Sequence, residues 1–177
     1  MMEVVMRIFT IGHSTHSIDD FVAMLLAHGV EQVVDIRTIA KSRHNPQFAE
    51  TEMKKSLLRH DIAYARLEKL GGLRHTTADS VNTAWRNKSF RGYADYMQTA
   101  EFTEGLEELM NLAEQKPTAI MCAEAVPWRC HRSLVGDALL VRKVEVLDIM
   151  AEKSAKPHKL TPFAVVDGMT ITYPENV

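Results

Sequence analysis

Between Met121 and Arg132 the chain gathers two cysteines, a carboxylate, a histidine and two arginines: Cys122, Glu124, Arg129, Cys130, His131 and Arg132. Together these side chains can do nucleophilic and acid-base chemistry on an anion. A thiolate attacks electrophiles, an imidazole or carboxylate moves protons, and a guanidinium fork clamps carboxylate or phosphate. Cys130-His131-Arg132 stands where a helix from Cys130 to about Arg142 is expected to begin. A thiol there feels the positive end of the helix dipole and the charges of Arg129 and Arg132, so Cys130 is expected to have a lowered pKa and to act as nucleophile or polarised thiol. A packed, structural Cys130 is the competing reading. Cys122 closes an apolar stretch and is expected to be buried and inert, on the binding side of the site. A bridge between the two cysteines stays open. Glu124 can act as a general base, or it can hold His131 or a loop N–H in place.

The spacing also removes alternatives. One residue too many separates Cys122 from Arg129 for the phosphate-binding cysteine loop, and Trp128 stands where that loop needs its arginine, so neither a phosphatase nor a standard rhodanese is read here. Zinc would draw on His13, Cys122, Cys130 and His131, but Cys-x-x-Cys spacing is missing and no metal ligand is assigned. Gly12-His13-Ser14 holds one glycine of the dinucleotide fingerprint. The sequence therefore requires no cofactor.

Further polar residues follow other apolar runs. His13 comes directly after Gly12, a place that argues against a core role, and Ser14 is read as a local cap or an anion-binding helper. Asp35 and Arg37, two apart in an extended stretch, point the same way and suit an ion pair or a substrate contact. Arg43, Asn45, Arg91 and Tyr93 are expected to form a substrate-facing rim with Arg37 and Arg132.

The elements that would position these groups alternate between strand and helix. Met6 to Ile11 reads as a strand, Ser17 as the cap of a helix to about His28, and Val33 to Ile36 as a second strand. A helix over 49–60 and a strand over 62–67 complete a Rossmann-like half. Glu68 to Ser89 is a long loop with Gly71-Gly72, of the length that marks a lid or insertion. Helices are expected over about 92–97 and 101–114. Thr118 to Cys122 lacks alternation and suits a central parallel strand buried on both faces. Val144 to Ile149 is a further strand, and Asp167-Gly168 signals a hairpin in the tail. The expected architecture is α/β: a three-layer sandwich around a mostly parallel sheet of about five strands, with an insertion after strand three and a C-terminal hairpin. One domain is expected, its core over about 6–150 and its tail over 151–177.

With 177 residues, 46% hydrophobic and 25% charged, the composition is that of a folded globular chain. No secretory leader and no membrane-spanning run is read, so a cytoplasmic location away from membranes is expected. Arg37 to Arg91 carries twelve Lys or Arg against five Asp or Glu, whereas Gly92 to Gln115 carries six acids and no base. Two solvated faces, or a wall facing an anion opposite an acidic helix, both fit this asymmetry.

Thr10-Ile11-Gly12-His13-Ser14, Asp35-Ile36-Arg37, Ser42-Arg43-His44-Asn45-Pro46-Gln47-Phe48, Leu70-Gly71-Gly72, Phe90-Arg91-Gly92-Tyr93, Met121-Cys122-Ala123-Glu124 and Cys130-His131-Arg132 occur in this order. In these motifs, and in Leu160-Thr161-Pro162 of the tail, the chain resembles the "domain of unknown function 488" group of bacterial and archaeal proteins. The resemblance implies one site built from these motifs in an α/β fold and supplies no reaction. Three functions follow from the residues. The first is a small thiol- or acid-base-dependent transferase or hydrolase acting on an anionic substrate, a nucleotide or phosphorylated compound. Here Cys130, His131, Glu124 and His13 do the chemistry, and Ser14, Asp35, Arg37, Arg43, Asn45, Arg91, Tyr93, Cys122 and Arg132 bind. The second is a nucleic-acid-binding or DNA-repair accessory module stacking bases on Trp85, Tyr93 or Trp128, and the third is a Cys/His metal-dependent hydrolase. No oligomeric state is specified.

Overall fold

A computed structural model describes residues 5–175. Its frame is a six-stranded sheet in the order β3-β2-β4-β1-β5-β6. Strands β1 (Arg7–Gly12), β2 (Gln32–Asp35), β3 (Ala63–Arg66), β4 (Thr118–Cys122) and β5 (Glu145–Ala151) pair in parallel. Every residue of β4 is buried between β2 and β1, which accounts for its unbroken apolar run.

Side-chain alternation divides the core into two layers. Phe9, Ile11, Val33, Ala119 and Met121 face helices α1 (Ile18–Ala27) and α2 (Glu50–Leu58), where Phe21, Leu25, Met53 and Leu57 cover them. Ile8, Val34, Ile36, Ile120 and Val146 face the other way, against α3 (Lys88–Tyr96), α4 (Ala100–Gln115) and α5 (Arg132–Val141). The result is the expected three-layer sandwich. The Ser17 hydroxyl accepts from the Asp20 N–H at 3.1 Å and so starts α1.

The structure corrects several boundaries. The sheet has a sixth strand, β6 (Ser154–Pro157), antiparallel to β5. It hid in the sequence because an edge strand carrying Lys156 and Pro157 needs little apolar patterning. Helix α3 begins four residues earlier than the periodicity suggests, because the Asn87 side chain accepts from the N–H groups of Ser89 and Phe90. Helix α5 begins at Arg132, so Cys130 lies outside it in extended backbone. The expected hairpin is present as β7 (Val165–Asp167) and β8 (Thr170–Thr172), but Asp167 pairs with Thr170 and the turn is Gly168-Met169, one residue later than Asp167-Gly168.

The long connection from Glu68 to Asn87 is pinned at several points. The Asp95 carboxylate of α3 accepts from Thr77 N–H, Ser80 hydroxyl and the Asn82 amide, at 2.9, 2.6 and 2.7 Å. Fully buried Asn82 in turn accepts from the Tyr173 N–H at 2.9 Å, tying the loop to the tail. Among the described residues, no helix is long and apolar enough to cross a membrane.

Candidate functional site

Register brings the strand ends level. Gly12 lies opposite Cys122 and Asp35 opposite Met121, so the loops leaving β1, β2 and β4 start side by side at the carboxyl edge of the sheet. Beyond the strands, His13 N–H donates to Cys122 C=O and Ser14 N–H to Ala123 C=O, both at 2.9 Å, which keeps the first and third loops together. Gly12 is required for this approach. A Cβ there would lie 1.5 Å from the Glu124 carbonyl oxygen.

These loops and the 72–93 segment enclose a cavity of about 790 Å³, within the size range of small-ligand sites. His13, Ser14, Arg37, Asn45, Tyr93, Cys122, Glu124, Cys130 and His131 all line it, so one place receives most of the residues that the sequence singled out. Arg37, Lys41 and Arg129 bring positive charge, against the single carboxylate of Glu124. A second hollow, of about 680 Å³, opens at the amino ends of the strands between Arg7, His28 and Lys116 and lacks this convergence.

Arg37 is held by a buried bidentate pair. Its Nε and NH2 donate to the two Asp35 carboxylate oxygens at 2.9 and 2.7 Å, and the Tyr64 hydroxyl donates to the same carboxylate at 2.5 Å. Asp35 is fully buried and lies beneath Arg37, outside the cavity lining. The remaining nitrogen, NH1, is 3.4 Å from His13 Nε2. A carbonyl only accepts, so His13 Nδ1 must donate to Ser14 C=O (2.8 Å), which leaves Nε2 to accept from Arg37. His13 is buried at 3% exposure and its ring stacks on Phe48, contrary to the expectation from its position. Burial, the Ser14 contact notwithstanding, lowers its pKa, and it is neutral at pH 7.

The same reasoning fixes the tautomer of His131. Nε2 donates to Ile36 C=O at 2.9 Å, so Nδ1 carries the lone pair, 3.5 Å from the Cys130 sulfur. Burial depresses the His131 pKa to about 4, which keeps the ring neutral and Nδ1 a weak base, a hydrogen-bond acceptor only. Gly72 packs against that nitrogen. A Cβ on Gly72 would meet Nδ1 at 3.1 Å.

The thiols reverse the sequence expectation. Cys130 is buried, and desolvation, followed by the neighbouring Cys122, pushes its pKa well up. Burial also opposes ionisation of Cys122, but the Cys130 thiol donating to it, then Arg132 and a backbone contact at Glu124, outweigh that and bring its pKa below the ordinary value. Each thiol thus acts on the other, Cys130 favouring a thiolate at Cys122 and Cys122 opposing one at Cys130. The helix offers Cys130 little relief, because Cys130 lies ahead of α5 and only the Arg132 N–H reaches its sulfur, at 3.4 Å.

Arg132 supplies the field beneath them. It has no exposed surface, its NH2 donates to Ala125 C=O at 3.3 Å, and among the described residues its Nε and NH1 have no hydrogen-bond partner.

Four other residues do not behave as expected. Arg43 is exposed and outside the cavity, and Arg91 donates through Nε to Trp85 C=O at 2.9 Å, holding the loop. Ser14 caps no helix, since Ser17 does so, and its φ of 46° bends the turn into the cavity. Among the described residues the Glu124 carboxylate accepts no hydrogen bond, so neither His131 nor a loop N–H is held by it. Nor do three or more Cys, His, Asp or Glu side chains converge as metal ligands among those residues, and the four proposed for zinc are not so arranged. The cavity also uses Thr38, Lys41, Leu73 and Asn87, which the sequence reading had not placed in the site, and Arg129, which it had counted in the cluster only for its charge on Cys130. Lys41 was visible only as part of the basic block, and Asn87 only as a capping residue type.

A family model described as "Domain of unknown function DUF488" matches residues 17–139, more than half of the chain. The chain belongs to the DUF488 family. The match covers the cavity residues from Arg37 to His131, whereas His13, Ser14 and the Leu160-Thr161-Pro162 motif lie outside it. Neither the curated proteins nor the solved structures give a match.

Proposed function

We propose that this DUF488 protein is a small thiol-dependent enzyme acting on an anionic substrate such as a nucleotide or phosphorylated compound. The observation that carries this reading is the buried Arg132 guanidinium, two of its nitrogens unpartnered among the described residues, behind the two cysteines that line a cationic cavity. A buried cation without a carboxylate partner favours an anion beside it, and the Cys122 thiolate meets that need. In this reading Cys122 is the nucleophile, Cys130 donates a hydrogen bond to it, and the neutral His131 ring, its Nδ1 3.5 Å from the Cys130 sulfur, keeps Cys130 in its protonated form. Arg37, Lys41 and Arg129 hold the substrate anion, and Glu124 is free to move a proton at the mouth. Sequence reasoning had given the nucleophile's part to Cys130.

The test is alkylation of each cysteine against pH, resolved by peptide mass spectrometry, with and without phosphorylated compounds. Cys122 is expected to react with an apparent pKa below the roughly 8.5 of a free thiol, and an anion that fits the cavity should protect it. Two thiols that stay inert until the chain unfolds would refute the reading.

Trp128 supports a second reading. It is 66% exposed beside Arg129, where a nucleic-acid base could stack, whereas Trp85 packs on Phe90, Phe163 and Tyr173, and Tyr93 is buried. Binding of single-stranded nucleic acid that falls steeply with salt and is lost in Trp128→Ala would favour this module function.

A further inference from the structure

We infer that Cys122 and Cys130 form a reversible redox couple, a dithiol that closes to a labile disulfide when a hydroperoxide enters the cavity. The seven residues between them turn back through the 3-10 segment Pro127–Arg129, where Cys130 N–H donates to Pro127 C=O at 3.0 Å. That turn returns Cys130 toward the end of β4, so that both cysteines line the same cavity. Both cysteines are free thiols in the structure. Two-thiol oxidation needs an attacking sulfur and a resolving thiol, and both are here: Cys122, whose ionised form Arg132 favours, and Cys130, whose sulfur lies 3.5 Å from the neutral His131 Nδ1.

The chemistry balances with the peroxide as the oxidant. The Cys122 thiolate attacks the terminal oxygen of R–O–OH, the O–O bond breaks, and the departing alkoxide takes a proton from water to become the alcohol. Cys122 is left as the sulfenic acid. Cys130 attacks the Cys122 sulfur, the S–O bond breaks, and the leaving hydroxide takes the Cys130 proton and departs as water. Two thiols lose two electrons, and the peroxide gains them.

Closure changes the electrostatics of the floor. The disulfide has no charge, so Arg132 is left buried without the anion beside it, and the oxidised state is penalised. This bridge should therefore be easily reduced and should lower stability, whereas a structural disulfide raises it.

The inference shares its cavity with the enzyme reading but does not depend on any substrate. The full chain is treated with one equivalent of hydrogen peroxide and mapped by trypsin, which cuts after Arg129 and separates the two cysteines. A cross-linked pair of peptides lighter by two hydrogens, restored by dithiothreitol, is expected. The oxidised chain should also melt at a lower temperature than the reduced one. In Cys130→Ser, a cyclic 1,3-diketone should trap the sulfenic acid on Cys122. The wild-type map needs no variant to fold. Absence of the cross-link, or further oxidation to sulfinic acid without it, overturns the couple, and a cross-linked chain that melts higher makes the bridge structural. If Cys122 alkylates fast yet never bridges, the redox inference fails and the enzyme reading survives. Efficient bridging with no anion protection gives the opposite result.

Discussion

His158 should make the stability of this protein fall between about pH 6.5 and pH 9. It lies between two carboxylates, with Nδ1 donating to Asp148 at 3.1 Å and Nε2 to Asp137 at 3.0 Å, and its side chain is 7% exposed. Burial opposes its charge, but the two carboxylates prevail and raise its pKa from 6.5 to about 9. A raised folded-state pKa means that the folded chain holds the proton more tightly than the unfolded chain. The stabilisation is fully present below the unfolded pKa and is lost as pH climbs through about 9. At about 1.4 kcal/mol for each pKa unit, the protonated clamp contributes on the order of 3 kcal/mol. Urea unfolding of wild type and His158→Gln from pH 6 to pH 10 measures this directly. The gap between the two curves should shrink by that amount as the wild type approaches the variant, while cysteine titration cancels in the difference. A gap that stays constant across the range would refute the reasoning.

Gly12→Ala should cost on the order of 3 kcal/mol or prevent folding, because the added Cβ would overlap the Glu124 carbonyl, and a thermal melt would reveal it. Asp35→Asn should destabilise by about 3–5 kcal/mol, since it leaves the Arg37 guanidinium buried without its counter-charge. Denaturant unfolding measures that loss. Arg132→Met should raise the apparent pKa for alkylation of Cys122, so a rate-against-pH profile identical to wild type would contradict the role given to the buried guanidinium. In Asp95→Ala, loop 77–82 loses its carboxylate anchor, and limited proteolysis should cut there first.

Much of the fold is legible in periodicity. The unbroken apolar run of Thr118–Cys122 identifies the central strand, and Ser17 with Asp19 and Asp20 starts α1 where expected. The convergence of His13, Arg37 and Cys122 was legible too, because parallel strands open their loops at one edge. What failed was the local environment of each group. Cys130 was expected to lie at a helix N-terminus, but the 3-10 turn ends in extended backbone and Arg132 opens the helix. Arg91 and Arg43 looked like anion binders by type, yet one holds the Trp85 carbonyl and the other faces solvent. Residue type identifies chemical capacity, whereas desolvation and partners decide its use, and these depend on long-range contacts that no local pattern encodes.

The bond between Asn82 and Tyr173 spans 91 positions, and Ala84 N–H also waits for the Tyr173 carbonyl. During synthesis the sheet from β1 to β5 can assemble while these groups are still unpaired, because Tyr173 leaves the ribosome long after them. The loop behind one wall of the cavity is thus fastened by a residue made 91 positions after it. A nascent chain halted before that point would leave the loop unfastened beside the cavity, so synthesis through Tyr173 times the maturation of the site.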